Sequence, residues 1–104
     1  MNRKKIVHNI KQRLLEIDPG AKIILYGSEA RGEANQNSDI DVLILLNKNQ
    51  SKFELKTRIN NALYDIELET GIIINPLIYP KKEWENRPFK NPFYINVMNE
   101  GIEL

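Results

Sequence analysis

The chain has 104 residues, of which 41% are apolar and 28% charged, and its net charge is +1. This composition is typical of one globular domain with a modest core, and it provides no broad electrostatic surface for nucleic acid or for an anionic membrane. The absence of cysteine and the presence of a single histidine, His8, exclude disulfides, thiolate metal sites and zinc sites built on several imidazoles.

The N-terminal segment predicts an amphipathic helix. Apolar residues recur at helical spacing over residues 3–17, and the lysine and arginine side chains between them are expected on a solvated face. Pro19 and Gly20 end this helix with turn chemistry. The segment lacks the apolar stretch of a signal peptide, and no run in the chain is long enough to span a membrane, so we expect a cytoplasmic protein.

A strand, a short helix and a second strand follow. Residues 21–27 predict a strand that ends in glycine. Ser28 is a good N-cap for one helical turn, and Gly32 is a good terminator. After the polar loop 33–38, residues 39–46 are rich in branched apolar side chains and predict a second strand.

The second half of the chain predicts a long helix and a third strand. Ser51 and Glu54 have the spacing of a capping box at the start of the helix, and Gly71 ends it. Residues 72–79 predict a strand that contains Pro76. Because proline cannot donate to a sheet ladder, this strand is expected at an edge, or with Pro76 at a bulge.

The last quarter predicts irregular chain followed by a final helix. Residues 80–90 are expected to be irregular, with a possible turn of helix around Trp84. Asn91 and Pro92 suit the N-cap and first position of a helix that Gly101 closes. Several aromatic residues occur here, and they fit either core packing or a protein contact: Tyr79, Trp84, Phe89, Phe93 and Tyr94. The whole order predicts a small α/β domain, with a sheet covered by helices.

Two aspartates at the start of the second strand predict a metal site. Asp39 and Asp41 are two residues apart, so on a strand they point to the same face with Cα atoms roughly 6.5 Å apart. Their carboxylates can converge on one cation, or on two cations about 3.5–4 Å apart. Hard oxygen ligands of this kind suit Mg²⁺, which also takes waters and substrate phosphates.

The turn before these aspartates has the features of a phosphate site. A strand that ends at Gly27 and enters a helix at Ser28 presents free backbone N–H groups, and the glycine leaves room for close approach. Arg31 lies one turn further on and either reaches the same phosphates or holds the loop through an ion pair. Each feature alone is common in proteins without this role, but together and in this order they indicate phosphoryl or nucleotidyl transfer.

The pattern resembles the signature of the nucleotidyltransferases of the DNA polymerase beta superfamily. That signature is Gly-Ser, ten residues and Asp-x-Asp, here Gly27-Ser28, residues 29–38 and Asp39-Ile40-Asp41. The segments "GSEARG" and "SDIDVL" match the fuller form found in small members. The chain therefore resembles a minimal nucleotidyltransferase that forms a single domain over residues 1–104.

The resemblance implies a fold, a reaction and a partner. The fold is a small mixed β-sheet covered by helices. Gly27 and Ser28 would bind the triphosphate of ATP, and Asp39 and Asp41 would bind two Mg²⁺ ions. Many minimal members are antitoxins that are paired with a HEPN-type ribonuclease toxin and transfer AMP to a tyrosine hydroxyl of that partner.

One position departs from the family pattern. Active members carry a third carboxylate on a neighbouring strand, and the corresponding position here is expected at Asn75, whose amide is not a general base. Glu67 or Glu69 could substitute only if the helix end placed it there. The sequence thus leaves two readings, an enzyme and a weak or inactive binding module that neutralises its partner by contact. A small-molecule nucleotidyltransferase is disfavoured, because such chains carry an additional acceptor-binding domain.

Overall fold

A computed structural model of the chain describes residues 2–47, 52–88 and 90–104. In chain order its elements are the helix Arg3–Ile17 (α1), the strand Lys22–Tyr26 (β1), the helix Ser28–Arg31 (α2), the strand Ile40–Leu46 (β2), the helix Lys52–Thr70 (α3), the strand Ile74–Pro80 (β3), the helix Lys81–Glu85 (α4), the helix Pro92–Glu100 (α5) and the strand Ile102–Glu103 (β4). This confirms the predicted α/β class and the predicted element order up to α5.

The strands form one mixed sheet in the order β3-β2-β1-β4. β1 is antiparallel to both β2 and β4, whereas β2 and β3 are parallel. The connection between the parallel strands contains α3, as a parallel crossover requires. The sequence did not predict β4, because its two residues have no strand pattern of their own and acquire one only by pairing with Ile24 and Leu25.

Helices cover both faces of the sheet. Successive side chains of β2 point to opposite faces of the sheet, and they therefore belong to two separate buried clusters. The first core cluster packs α1 and α3 on one face, and its β2 members are Ile40, Val42, Ile44 and Leu46. The second core cluster packs α4 and α5 on the other face, and it consists of Ile24, Leu43, Leu45, Trp84, Tyr94 and Val97. The site residues lie on the second face, because Asp41 has the same parity as Leu43 and Leu45.

β3 is an edge strand, which confirms the edge alternative for Pro76. Pro76 and Pro80 have no N–H, and the N–H of Ile74 donates to Glu67 Oε1 at 2.8 Å. The alternate positions of the strand are Ile74, Pro76, Ile78 and Pro80. Of these four positions, Ile78 is the one that keeps an N–H for another strand. An edge treated in this way is a poor template for pairing with another strand.

Some predicted boundaries differ from the observed ones. The prediction that Ser28 is the N-cap of α2 is wrong, since Gly27 occupies that position and Ser28 is the first helical residue. The β2 ladder begins at Ile40, so Asp39 directly precedes the strand. Asn91 caps α5 as predicted, accepting from Tyr94 N at 2.8 Å. The predicted capping box falls on Ser51, which lies outside the described residues.

None of the helices in the described part of the chain has both the length and the hydropathy that a membrane-spanning helix needs.

Candidate functional site

Three neighbouring strands bring three polar side chains into one row. The register of β1 and β2 places Tyr26 opposite Asp41, and the register of β2 and β3 places Asn75 opposite Asp41 on its other side. Residues that are opposite in paired strands point to the same face of the sheet. The row therefore lies across the start of β2, next to Asp39.

The two aspartates meet at the amide group of Asn75. Its Nδ2 atom donates to Asp39 Oδ2 at 3.2 Å and to Asp41 Oδ1 at 3.1 Å. Asp39 and Asn75 are exposed, and Asp41 is half-buried. Among residues 2–47, 52–88 and 90–104, no lysine or arginine forms an ion pair with either aspartate. The charge of the pair is thus not neutralised by a basic side chain of the described residues.

The turn after β1 lies directly against this pair. Gly27 has φ +73°, a conformation that favours glycine. A Cβ atom at this position would lie 2.5 Å from Asp41 Oδ2. The glycine is required both by the backbone and by the carboxylate beside it. The structure therefore brings the Gly-Ser turn and the acidic pair together, as the sequence pattern led us to expect.

The short helix α2 begins at this turn and points its N-terminus toward the site. Its first helical hydrogen bond runs from Arg31 N to Gly27 O at 3.1 Å, so the N–H groups of the three residues between them have no carbonyl acceptor within the helix. Gly32 ends the helix in the left-handed conformation at φ +74°. Ser28, which is half-buried, supplies a hydroxyl at the same end of the helix.

Arg31 is engaged by two acidic side chains. Its Nε atom donates to Glu33 Oε2 at 3.1 Å, and its Nη1 atom donates to Glu100 Oε2 at 3.2 Å. These hydrogen bonds, the one to Glu33 first, raise the pKa of Arg31 above its usual value. Arg31 also lines a cleft of about 220 Å³, together with Gly27 and Phe93. Of the two expectations for Arg31, the ion pair is thus present, and contact with phosphates stays a prediction for a residue that lines the cleft beside the turn.

Tyr26 is a member of the row that sequence reasoning missed. Burial, and then the negative charge of Asp41 and the neighbouring Tyr79, raise the pKa of Tyr26 to about 12. Its ring packs edge to face on Phe93, with centroids 5.6 Å apart. Its position directly before Gly27 was the available signal. The hydroxyl is neutral at physiological pH, so Tyr26 adds no charge to the site.

The two glutamates considered as substitutes for a third carboxylate lie elsewhere. Glu67 Oε1 accepts the N–H of Ile74, which joins the end of α3 to β3. Glu69 Oε1 accepts from Arg13 at 3.3 Å on the surface. Within the described residues, no group of three or more His, Cys, Asp or Glu side chains could hold a metal ion. The side chain that contacts both carboxylates is that of Asn75.

The donor set nevertheless fits a magnesium ion. Asp39 and Asp41 supply two carboxylates that converge within hydrogen-bonding distance of one amide nitrogen. Mg²⁺ in proteins is commonly held by one or two carboxylates, with waters and substrate phosphates filling the remaining positions. A cation between the carboxylates would also relieve their mutual repulsion.

Arg3 corrects the prediction that the N-terminal basic side chains form a solvated face. Its side chain is only 18% exposed, and it donates to Glu29 and to the carbonyls of Gln36 and Ser38. The helical periodicity gave no signal for this, because the contact partners are 26 to 35 residues away in the sequence.

Comparison with known proteins yields one family and two relatives. The family model described as "Nucleotidyltransferase domain" matches residues 7–103. "Putative protein adenylyltransferase MJ0141" of Methanocaldococcus jannaschii is 36% identical over 83 residues, which are 80% of this chain and 77% of that protein. "Putative protein adenylyltransferase MJ0604" of the same organism is 32% identical over 106 residues, which are 100% of this chain and 99% of that protein. The matched span includes the glycine turn, both aspartates and Asn75.

Proposed function

The chain belongs to the nucleotidyltransferase domain family, and from that premise we propose that it transfers an adenylyl group from ATP to a hydroxyl of a partner protein. The observation that carries this proposal is the direct contact between the Gly27 turn and the Asp41 carboxylate. A phosphate-binding turn and a pair of metal ligands are useful to one substrate only when they are adjacent. The names of the two relatives support AMP as the transferred group and a protein as the acceptor.

In this proposal Asp39 and Asp41 hold Mg²⁺. When bound, Mg²⁺ neutralises phosphate charge and supports the departure of pyrophosphate. The two aspartates would hold the ion at the exposed start of β2. Much of the catalysis then comes from position and charge, as is general for phosphoryl transfer.

Gly27, Ser28 and Arg31 hold the remaining phosphates. The free N–H groups at the start of α2 and the Ser28 hydroxyl are donors, and the glycine allows close approach. Arg31 lines the adjacent cleft and can exchange one carboxylate partner for a phosphate, which offers similar acceptor geometry. Because ATP is the donor, a cytoplasmic location is part of the same proposal.

The acceptor hydroxyl approaches from the Asn75 side. The hydroxyl oxygen forms a bond to the α-phosphorus, the bond from that phosphorus to the bridging oxygen breaks, and pyrophosphate leaves. Since the Asn75 amide cannot take the proton, the proton passes to water. We therefore expect slower transfer than a third carboxylate at this position would allow.

The proposed acceptor is a HEPN-type ribonuclease toxin, and the proposed role is that of an antitoxin. This finer assignment rests on the resemblance of "GSEARG" and "SDIDVL" to the small members of the family. A small helical protein with an Arg-x4-6-His motif, encoded next to this chain, is the acceptor to test.

Labelled ATP, Mg²⁺ and that acceptor provide the direct experiment. The acceptor should become labelled with the unaltered chain and remain unlabelled with the Asp39→Ala, Asp41→Ala double variant. The matched control is Asp65→Ala, Glu69→Ala, which removes two negative charges from exposed positions of α3. Equal labelling by both double variants would remove the catalytic proposal.

A second candidate function is supported by the amide between the two aspartates. Asn75 satisfies both carboxylates without a cation, which suits a nucleotidyltransferase fold that binds its partner and neutralises it by contact alone. In that case the Asp39→Ala, Asp41→Ala variant should still protect cells from the toxin. Loss of protection, with the complex still forming in a pull-down, would favour catalysis over contact.

A further inference from the structure

We propose that Arg3 is a positioning residue that fixes the distance between the phosphate-binding half and the metal-binding half of the site. The inference rests on the proposed function, since the two halves are defined by it. Arg3 touches neither the aspartates nor the Gly27 turn. It contacts instead the residue that follows Ser28 and the residue that precedes Asp39.

The guanidinium of Arg3 connects three parts of the chain. Nε donates to Glu29 Oε2 at 2.7 Å, within α2. Nη2 donates to the carbonyl of Ser38 at 2.7 Å, and Nη1 donates more weakly to that of Gln36 at 3.4 Å. Ser38 is the residue directly before Asp39. One planar group thus spans the ten-residue interval of the signature and joins its two ends.

These contacts are strong by the usual criteria. The side chains of Arg3 and Glu29 are 18% and 12% exposed, so solvent screens the pair less than it screens a surface pair. The bonds at 2.7 Å are at the short end for charge-assisted hydrogen bonds. A lysine could not reproduce them, because an ammonium group lacks the planar fork that reaches two partners in fixed directions.

Residues 35–38 of the loop are joined to one another by local hydrogen bonds. Asn35 N donates to Ser38 Oγ at 3.0 Å, Asn37 N donates to Asn35 Oδ1 at 2.8 Å, and Ser38 N donates to Asn35 O at 3.2 Å. These bonds shape the turn within residues 35–38. The loop is held at its start, where Glu33 N donates to Ser28 O at 2.9 Å, and directly after Asp39, where Ile40 N donates to Ile73 O at 2.9 Å. Between these two ends, Arg3 attaches Gln36 and Ser38 to α1, and so contributes to where Asp39 stands relative to α2.

The Arg3 clamp, by which we mean the contacts of Arg3 with Glu29, Gln36 and Ser38, is anchored in the core through α1. Arg3 is the first residue of α1, whose Asn2 N-cap accepts from Lys5 N at 2.9 Å. One turn later Ile6 is buried in the first core cluster. The position of the guanidinium is therefore set by the packing of α1 on the sheet, and the loop follows it.

Arg13 is the matched control, because it lies on the same helix and also pairs with acidic residues. Its contacts are longer, 3.3 Å to Glu69 and 3.8 Å to Asp65, and its side chain is 33% exposed. Neither contact reaches the site. Arg13→Lys therefore makes the same chemical change at a position that should not affect nucleotide binding.

Calorimetry with Mg²⁺ and a non-hydrolysable ATP analogue tests the proposal. Arg3→Lys should weaken binding about tenfold, which is about 1.4 kcal/mol, at a temperature where the variant is fully folded, and Arg13→Lys should leave binding unchanged. Glu29→Ala should weaken binding similarly, and the double variant should lose little more, as expected for residues that act through one contact. A merely structural arginine would lower Tm and leave the affinity of the folded protein unchanged, and that result would overturn the proposal.

Amide hydrogen exchange separates this proposal from the proposed function. In Arg3→Lys, amide exchange at residues 33–39 should accelerate about tenfold relative to Arg13→Lys. The loop can then open without breaking the hydrogen bonds of the Arg3 guanidinium. If the unaltered chain binds no nucleotide, the proposed function fails and this measurement still decides the clamp. Equal exchange in the two variants would refute the clamp, whatever the chain binds.

Discussion

Replacing Asn75 by aspartate is the sharpest test of the site, because it exchanges a donor for the carboxylate that active family members carry. The amide donates to both aspartates, at 3.2 and 3.1 Å. Asn75→Asp removes both hydrogen bonds and adds a third negative charge. In the absence of a cation the folded state should become less stable, and in the presence of Mg²⁺ the new carboxylate should become a ligand.

The size of the effect follows from the geometry. A carboxylate oxygen in place of the amide nitrogen would relax to about 4 Å from each neighbour, where two unit charges repel by about 1 kcal/mol in bulk water. Each lost hydrogen bond is worth about 1 kcal/mol. The repulsion already assumes full exposure to water, so only the two exposed hydrogen bonds are reduced by about half, to about 1 kcal/mol together. With about 2 kcal/mol from the two repulsions, we expect a loss of about 3 kcal/mol in the free energy of unfolding without Mg²⁺.

Mg²⁺ should offset part of this effect. A third carboxylate should raise the affinity for Mg²⁺ about tenfold, and the bound ion then stabilises the folded state by linkage. Urea unfolding with and without Mg²⁺, and calorimetry with Mg²⁺ alone, measure the two parts separately. Transfer to the acceptor should become faster, because a carboxylate can take the hydroxyl proton.

Asn61→Asp is the control, since it makes the same change at an exposed position of α3. It should alter neither Mg²⁺ affinity nor the response of stability to Mg²⁺. If Asn75→Asp behaves like this control in both measurements, the reasoning that places one cation site between Asp39 and Asp41 is refuted.

Three further substitutions test the surroundings of the site. Gly27→Ala should destabilise the fold by about 2 kcal/mol more than Gly32→Ala in urea unfolding. Gly32 is in the left-handed helical region, whereas Gly27 combines φ +73° with ψ −152°, a conformation open essentially to glycine alone, and its Cβ would also meet Asp41 Oδ2. Equal losses would contradict this reasoning. The pKa of the Tyr26 hydroxyl is raised to about 12, so its contribution to the free energy of unfolding is complete below pH 10 and is lost as pH rises toward 12, because the unfolded chain ionises first. Tyr26→Phe should abolish this part of the loss of stability between pH 10 and about 12. The same loss in both proteins would contradict the raised pKa. Arg31→Gln should leave the Tm nearly unchanged, because the ion pairs of Arg31 are exposed. It should weaken binding of the ATP analogue about tenfold in calorimetry. Unaltered binding would show that Arg31 does not contact the nucleotide.

Most of the site could be predicted from short-range pattern. Asp39 and Asp41 are two residues apart, and the period of a strand alone places them on one face. Gly27 follows a strand and precedes a helical turn, so a position at which a phosphate can approach the backbone closely could also be predicted. Asn75 was identified through the resemblance, as the polar candidate on the third predicted strand, and the observed register places it directly opposite Asp41.

The residues that sequence reasoning missed are those whose role depends on distant parts of the chain. Arg3 reads as one more basic residue on an amphipathic helix, and only the packing of α1 brings it to Ser38 and Glu29. The prediction that Ser28 caps α2 was wrong by one residue, because the positive φ of Gly27 starts the turn earlier than side-chain preference indicated.

The sequence by itself determined the elements, the two faces of β2 and the adjacency of ligand-type residues along the chain, since these depend on the periods of helix and strand and on local turn chemistry. Only the tertiary structure decided which face carries the site, that Asn75 lies between both aspartates, and that Arg3 holds the loop. These features depend on register and packing between segments far apart in the chain. Burial of apolar side chains selects that register, and the polar contacts that result cannot be predicted from the local sequence.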